Sequence, residues 1–153
     1  MSVTHATSTV ERTYPASPAR VFQAFADPKA KYLWFKGPDD WNNRGEMDFR
    51  VGGREWHEGD IPDGPRTRFD ATYYEIVDGE RIVYCYEMHL DGNRISVSVA
   101  TIELIPAGAG TRLVLTESGA FLDGYDDAGA REHGTNELMD ALGRSLEEEP
   151  VIA

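Results

Sequence analysis

Cysteine is almost missing from this chain of 153 residues: Cys85 stands alone. An intramolecular disulfide is therefore excluded, and Cys85, set inside an apolar run, reads as a small buried hydrophobe. Basic residues are scarce, with 15 Lys and Arg against 27 Asp and Glu and a formal net charge of -12. Binding of nucleic acid without regard to sequence relies on Lys and Arg to neutralise phosphates, so it is not expected. Docking on an anionic membrane is not expected for the same reason. Long hydrophobic runs are absent too. No segment approaches the ~20 apolar residues of a membrane span, and the first residues lack a signal-peptide core. A reducing cytoplasm is the default expectation.

Several catalytic signatures are also wanting. There is no Gly-x-Ser-x-Gly elbow for a serine nucleophile. No G-x-G-x-x-G follows a strand and opens a helix, since Gly108-Ala109-Gly110 falls in a hairpin. His57, His89 and His133 sit on separate elements without His-x-x-x-His spacing. The one conceivable metal set would join His57 and His89 to Glu55 or Glu117, and ligand clusters usually show themselves by closer spacing. No metal and no cofactor is expected.

What is present begins with residues 126–149. Leu138, Met139, Leu142 and Leu146 recur at three- and four-residue spacing, and Thr135 and Ala128 extend the stripe backwards. Asp126 and Asp127 suit the positive end of a helix dipole. Three acids at Glu147, Glu148 and Glu149 oppose the dipole at the other end, and Pro150 stops the run. The spacing predicts one long C-terminal helix.

Ahead of it the chain reads mostly as strands. Residues 4–13 form a first strand, then Ser17-Pro18 opens a helix with Val21, Phe22 and Phe25 on one face. Asp27-Pro28 ends that helix and starts a second short one carrying Trp34 and Phe35. From Glu46 the period becomes two, with Met47, Phe49 and Val51 alternating with charged neighbours. Strands follow at 54–60, 68–77, 81–90, 94–105 and 111–119, joined by short hairpin-like turns that make neighbours antiparallel. The result is one α+β domain: an antiparallel sheet of about six to seven strands curving around a long C-terminal helix, with two short helices after strand one. Alternation points Ile82, Tyr84, Tyr86, Met88, Ile102, Leu104, Leu113 and Leu115 towards that helix, with Phe69 and Tyr73 joining them unless a bulge swaps the faces.

This order resembles the helix-grip fold of the START-like (SRPBCC) superfamily. Local motifs resemble, more narrowly, the family related to the activator of the heat-shock ninety chaperone's ATPase. They are Pro18-Ala19-Arg20-Val21-Phe22-Gln23-Ala24-Phe25 with Asp27-Pro28 and Trp34-Phe35; Asp48-Phe49-Arg50-Val51-Gly52-Gly53; Tyr73 to Ile76 with Glu80-Arg81-Ile82-Val83; and Gly110-Thr111-Arg112-Leu113-Val114-Leu115-Thr116. The chain departs from the pattern at Thr135, Tyr86 and Glu117, where many relatives carry Trp, Trp and His. Thr135 in place of an inward indole would leave a wider or wetter cavity. The resemblance implies a hydrophobic cavity for an apolar small molecule, and some relatives cyclise or dehydrate polyketides. A chaperone-interacting module is the third reading, and fold analogy alone decides none of these.

Glu117 is the acid-base candidate. It continues the Leu113 and Leu115 face, and a carboxyl in an apolar cavity has its pKa raised by desolvation. The plainer alternative places it at a frayed strand end, solvated or paired with an Arg. The ligand-binding set is Trp34, Trp56, Phe69, Tyr73, Tyr84, Tyr86, Ile102, Leu115, Phe121, Thr135, Leu138, Met139 and Leu142, with Tyr84, Tyr86 and His57 able to orient a carbonyl or hydroxyl. Aromatics dominate ordinary cores as well, so the tyrosines, which need hydrogen-bond partners, carry the argument for a polar-lipped cavity. A homodimer is possible because the edge of residues 4–13 invites pairing.

Overall fold

The computed structural model describes residues 1–147, so Glu148, Glu149 and Pro150 lie outside the described residues. The order is β1 (Val3–Tyr14), α1 (Pro18–Ala26), α2 (Pro28–Phe35), a short 3-10 turn (Asp39–Trp41), β2 (Arg44–Met47), β3 (Arg54–Asp60), β4 (Arg66–Val77), β5 (Arg81–Leu90), β6 (Asn93–Ala107), β7 (Gly110–Leu122) and α3 (Ala128–Leu146). All seven strands join one antiparallel sheet in the order β1-β7-β6-β5-β4-β3-β2. The hairpin meander β2 to β7 is thus completed by the first strand pairing with the last. The chain is an α+β helix-grip domain.

The helix boundaries follow from capping chemistry. Ser17 Oγ accepts from the Arg20 amide at 3.2 Å and Pro18 opens α1. Asp27 then serves twice. Its own amide closes α1 on the Gln23 carbonyl at 2.9 Å, while its carboxylate accepts from the Lys29 and Ala30 amides at the start of α2. Trp34 Nε1 donates back to the Ala24 carbonyl at 3.0 Å, holding the two helices against each other. At α3 the cap is Asp127, which accepts from the Ala130 amide. Asp126 is left for another task.

The inward sets on β5, β6 and β7 lie as alternation requires. Ile82, Tyr84, Tyr86, Ile102, Leu104, Leu113 and Leu115 are buried, and Met88 is half-buried. Met139 and Leu142 of α3 pack onto them, with Leu138, Ala141 and Leu146 partly buried beside. On β4 a bulge follows Tyr73 and leaves Tyr74 exposed.

Two expectations need correction. The alternation of Met47, Phe49 and Val51 is not one strand. Only Arg44–Met47 pairs with β3, and residues 48–53 make a tight loop in which a Cβ on Gly53 would meet the Asp48 carbonyl oxygen at 2.1 Å. Phe49 still turns inward against Phe22 and Tyr73, whereas Val51 is exposed. Cys85 is not buried but half-exposed, because its strand position points away from Tyr84 and Tyr86. No helix among the described residues is long and apolar enough to cross a membrane.

Candidate functional site

A cavity of about 380 Å³ remains between the concave sheet face and the helices. The sheet contributes Phe69 from β4, Tyr84, Tyr86 and Met88 from β5, and Leu115 and Glu117 from β7. Helix α2 contributes Lys31, Trp34 and Phe35; α3 contributes Arg131, Thr135, Leu138 and Met139. Lys36, Gly37 and Trp41, after α2, reach the cavity opposite Ala130 and Gly134 of α3. The wall formed by α2, β4 and β5 is largely aromatic. Phe69 lies 4.9 Å from Tyr86 and 5.0 Å from Phe35, centroid to centroid, and Trp34 meets Phe35 edge-on at 5.6 Å.

One polar cluster is built around Glu117. The strand continues to Leu122, so Glu117 sits in mid-strand and is only 8% exposed, rather than at a frayed end. The Tyr86 hydroxyl donates to Glu117 Oε1, and Arg131 lies 3.7 Å from the same oxygen. Arg131 also donates to Tyr86 Oη at 3.0 Å, to Ser96 Oγ at 2.8 Å and to Asp126 Oδ2 at 2.8 Å. Burial raises the Glu117 pKa, and the hydrogen bond from Tyr86 and the charge of Arg131 offset only part of that. Tyr86 is held in its neutral, proton-donating form by burial and by the Glu117 charge.

A second cluster is built around Glu55, which has no solvent exposure. Lys31 Nζ lies 2.9 Å from Glu55 Oε1, the Tyr73 hydroxyl donates to the same oxygen, and His57 Nε2 is 2.6 Å from Oε2. Burial by itself would raise the Glu55 pKa. The Lys31 charge and the hydrogen bonds from His57 and Tyr73 outweigh it and bring the group from 4.5 to about 2. The Lys31 ammonium also lies 4.5 Å from the Phe35 ring centroid. Lys31 and His57 reach the cavity, whereas Glu55 stands behind them.

Of the residues nominated from sequence, Trp34, Phe69, Tyr84, Tyr86, Leu115, Glu117, Thr135, Leu138 and Met139 line the cavity. Five do not. Trp56 lies on the other face of β3, under the Arg68 guanidinium at 4.7 Å, because alternation turns Glu55 and His57 inward instead. Tyr73 is core, with its hydroxyl committed to Glu55. Ile102 and Leu142 are fully enclosed by neighbours. Phe121 is buried beneath Arg131, whose guanidinium is 5.3 Å from its ring. The sequence reading missed Lys31 and Arg131. Arg131 precedes Thr135 and Leu138 by four and seven residues, so it continues the apolar stripe, and a charge on that stripe was the available signal. Among the described residues no three His, Cys, Asp or Glu side chains converge as a metal site.

Comparison with known proteins gives a consistent picture. The chain is similar to the solved structure of the Mll3558 protein from Rhizobium loti, at 46% identity over 95% of this chain and 99% of that one, with a TM-score of 0.89. It is similar to a protein from Rhizobium leguminosarum at 43% identity over 97% and 98% of the two chains, TM-score 0.92. Protein CV1439 from Chromobacterium violaceum follows at 28% identity over 94% and 98%, TM-score 0.77. No curated protein matches the chain. The family described as Activator of Hsp90 ATPase homolog 1-like protein matches residues 15–147. With the helix-grip architecture and this span of agreement, the chain belongs to the family of Activator of Hsp90 ATPase homolog 1-like proteins.

Proposed function

We propose that this protein binds an apolar or aromatic small molecule in the cavity between the sheet and α3. The observation that carries the reading is the unfilled space itself. Protein interiors are ordinarily packed as densely as organic crystals, and about 380 Å³ bounded by aromatic rings is ligand-sized. The polar clusters supply the few convergent groups that orient such a ligand. The test is native mass spectrometry of protein purified from its own cells, beside a Thr135→Trp variant whose indole would occupy the cavity. A small molecule should be retained by the parent and absent from the variant. A bare parent chain that also shows no thermal shift with a panel of aromatic compounds would sink the proposal.

A second reading, acid-base catalysis on a carbonyl compound by Glu117, is favoured by one observation. The carboxyl is buried, bonded to Tyr86, and has its pKa raised by that burial. Glu117→Gln keeps shape and removes the titration. On this reading it lowers turnover of the bound compound by about 100-fold or more, while the compound is still retained. Equal turnover in variant and parent would dismiss the catalytic role.

A further inference from the structure

The cavity offers polar groups but no unpaired charge. Lys31 has Glu55 at 2.9 Å, Arg131 has Asp126 at 2.8 Å and Glu117 at 3.7 Å, and Lys36 has Asp39 at 2.9 Å. His57 is bonded to Glu55, and Glu58, the remaining lining acid, is paired with Arg44 and Arg68. A ligand carboxylate entering this space would lose its water and find every cation already taken, with Glu117 and Asp126 repelling it. Burying a charge without a partner is costly. A ligand ammonium fares no better, since Lys31 and Arg131 stand at the two ends of the aromatic wall, 5.8 Å from the Tyr84 ring and 5.7 Å from the Tyr86 ring.

Between those ends stands Tyr84. It lines the cavity, is 8% exposed, and its hydroxyl has no hydrogen-bond partner among the described residues. Burial and the nearby charges of Glu117 and Glu55 keep it protonated. A phenol hydroxyl that opens on the cavity without a protein acceptor is left to donate to whatever occupies that space, and a ligand oxygen is the partner it fits. On the binding reading above, we propose that the cavity selects an uncharged aromatic molecule whose ketone or ether oxygen accepts from the Tyr84 hydroxyl, and that it rejects carboxylates of the same shape.

Three probes of matched outline test this by titration calorimetry: a naphthyl methyl ketone, isopropylnaphthalene and naphthoate, each with the parent protein and with Tyr84→Phe. The ketone should bind the parent about five- to tenfold more tightly than the hydrocarbon, the worth of one hydrogen bond. Naphthoate should bind at least about tenfold more weakly than the ketone. In Tyr84→Phe the ketone-to-hydrocarbon ratio should fall to about one. Naphthoate matching the ketone, or a ratio unchanged by Tyr84→Phe, overturns the proposal. Binding of the hydrocarbon with no ketone advantage removes this inference alone. Failure of all three probes removes the cavity-binding reading together with it.

Discussion

At the scale of single residues, Lys31 and Glu55 are each almost fully withdrawn from water and lie 2.9 Å apart. Removing one member of such a pair strands the other, and the usual cost is about 3–5 kcal/mol. Glu55→Gln should therefore destabilise strongly at neutral pH. The folded protein holds the Glu55 proton less tightly than the unfolded chain does, so its stabilisation is complete above about pH 4.5 and is lost as pH falls towards 2. The gap between parent and Glu55→Gln in urea unfolding should consequently shrink below pH 4.5. A constant gap from pH 7 to pH 3 would show that the charge of Glu55 is not what matters. Glu117 works in the opposite sense. Its raised pKa favours the folded state at low pH, and that contribution fades as pH rises through the folded value.

At the scale of elements, α3 combines a packed half with an unpacked one. Leu142 is fully buried in the core, while Leu138 borders the cavity. Leu142→Ala should cost about 2–5 kcal/mol, and Leu138→Ala distinctly less, since neighbours there are already missing on one side. Gly134 lies within the same helix, and a Cβ added to it would meet nothing within 4 Å. Gly134→Ala should stabilise by about 0.5–1 kcal/mol, which calorimetry reads as a rise of about 1–4 °C in Tm. The elements were legible in the sequence because their signals are local: Ser17-Pro18 and Asp27-Pro28 as caps, period two along β5 to β7, and Leu138, Met139 and Leu142 as a helical stripe. The polar clusters were not. Lys31 and Glu55 are 24 residues apart and each looks like an ordinary surface charge until the fold joins them. Trp56 misled because aromatic character was weighed above its place in the alternation. Nothing local marked Tyr73 as already bonded to Glu55, or Phe121 as covered by Arg131.

At the scale of the whole molecule, the open sheet is completed by its most distant pairing. β1 runs beside β7 from Val3 opposite Leu122 to Tyr14 opposite Thr111, and Tyr14 Oη donates to the Met139 carbonyl at 2.7 Å. Contacts so far apart in sequence are expected to form after the local hairpins, because they carry the larger loop-closure entropy. Val10, buried on β1 opposite Leu115, is a probe of this order. Val10→Ala should speed unfolding far more than it slows folding in stopped-flow measurements. A mainly slower folding limb would place β1 in the nucleus instead.

The double duty of Asp27 bears on the shape of the hollow. One carboxylate and one amide fasten α1 to α2, and the Trp34 indole bolts the second to the first. The two helices form a bracket whose corner is held by four hydrogen bonds. The wall carrying Trp34 and Phe35 is thus the stiff jaw of a clamp. Across from it a Cβ on Gly134 would meet nothing within 4 Å, while Arg131, three residues before, is tied to Tyr86, Ser96 and Asp126. On the binding reading proposed above, a guest is therefore shaped by the jaw that carries Trp34 and Phe35.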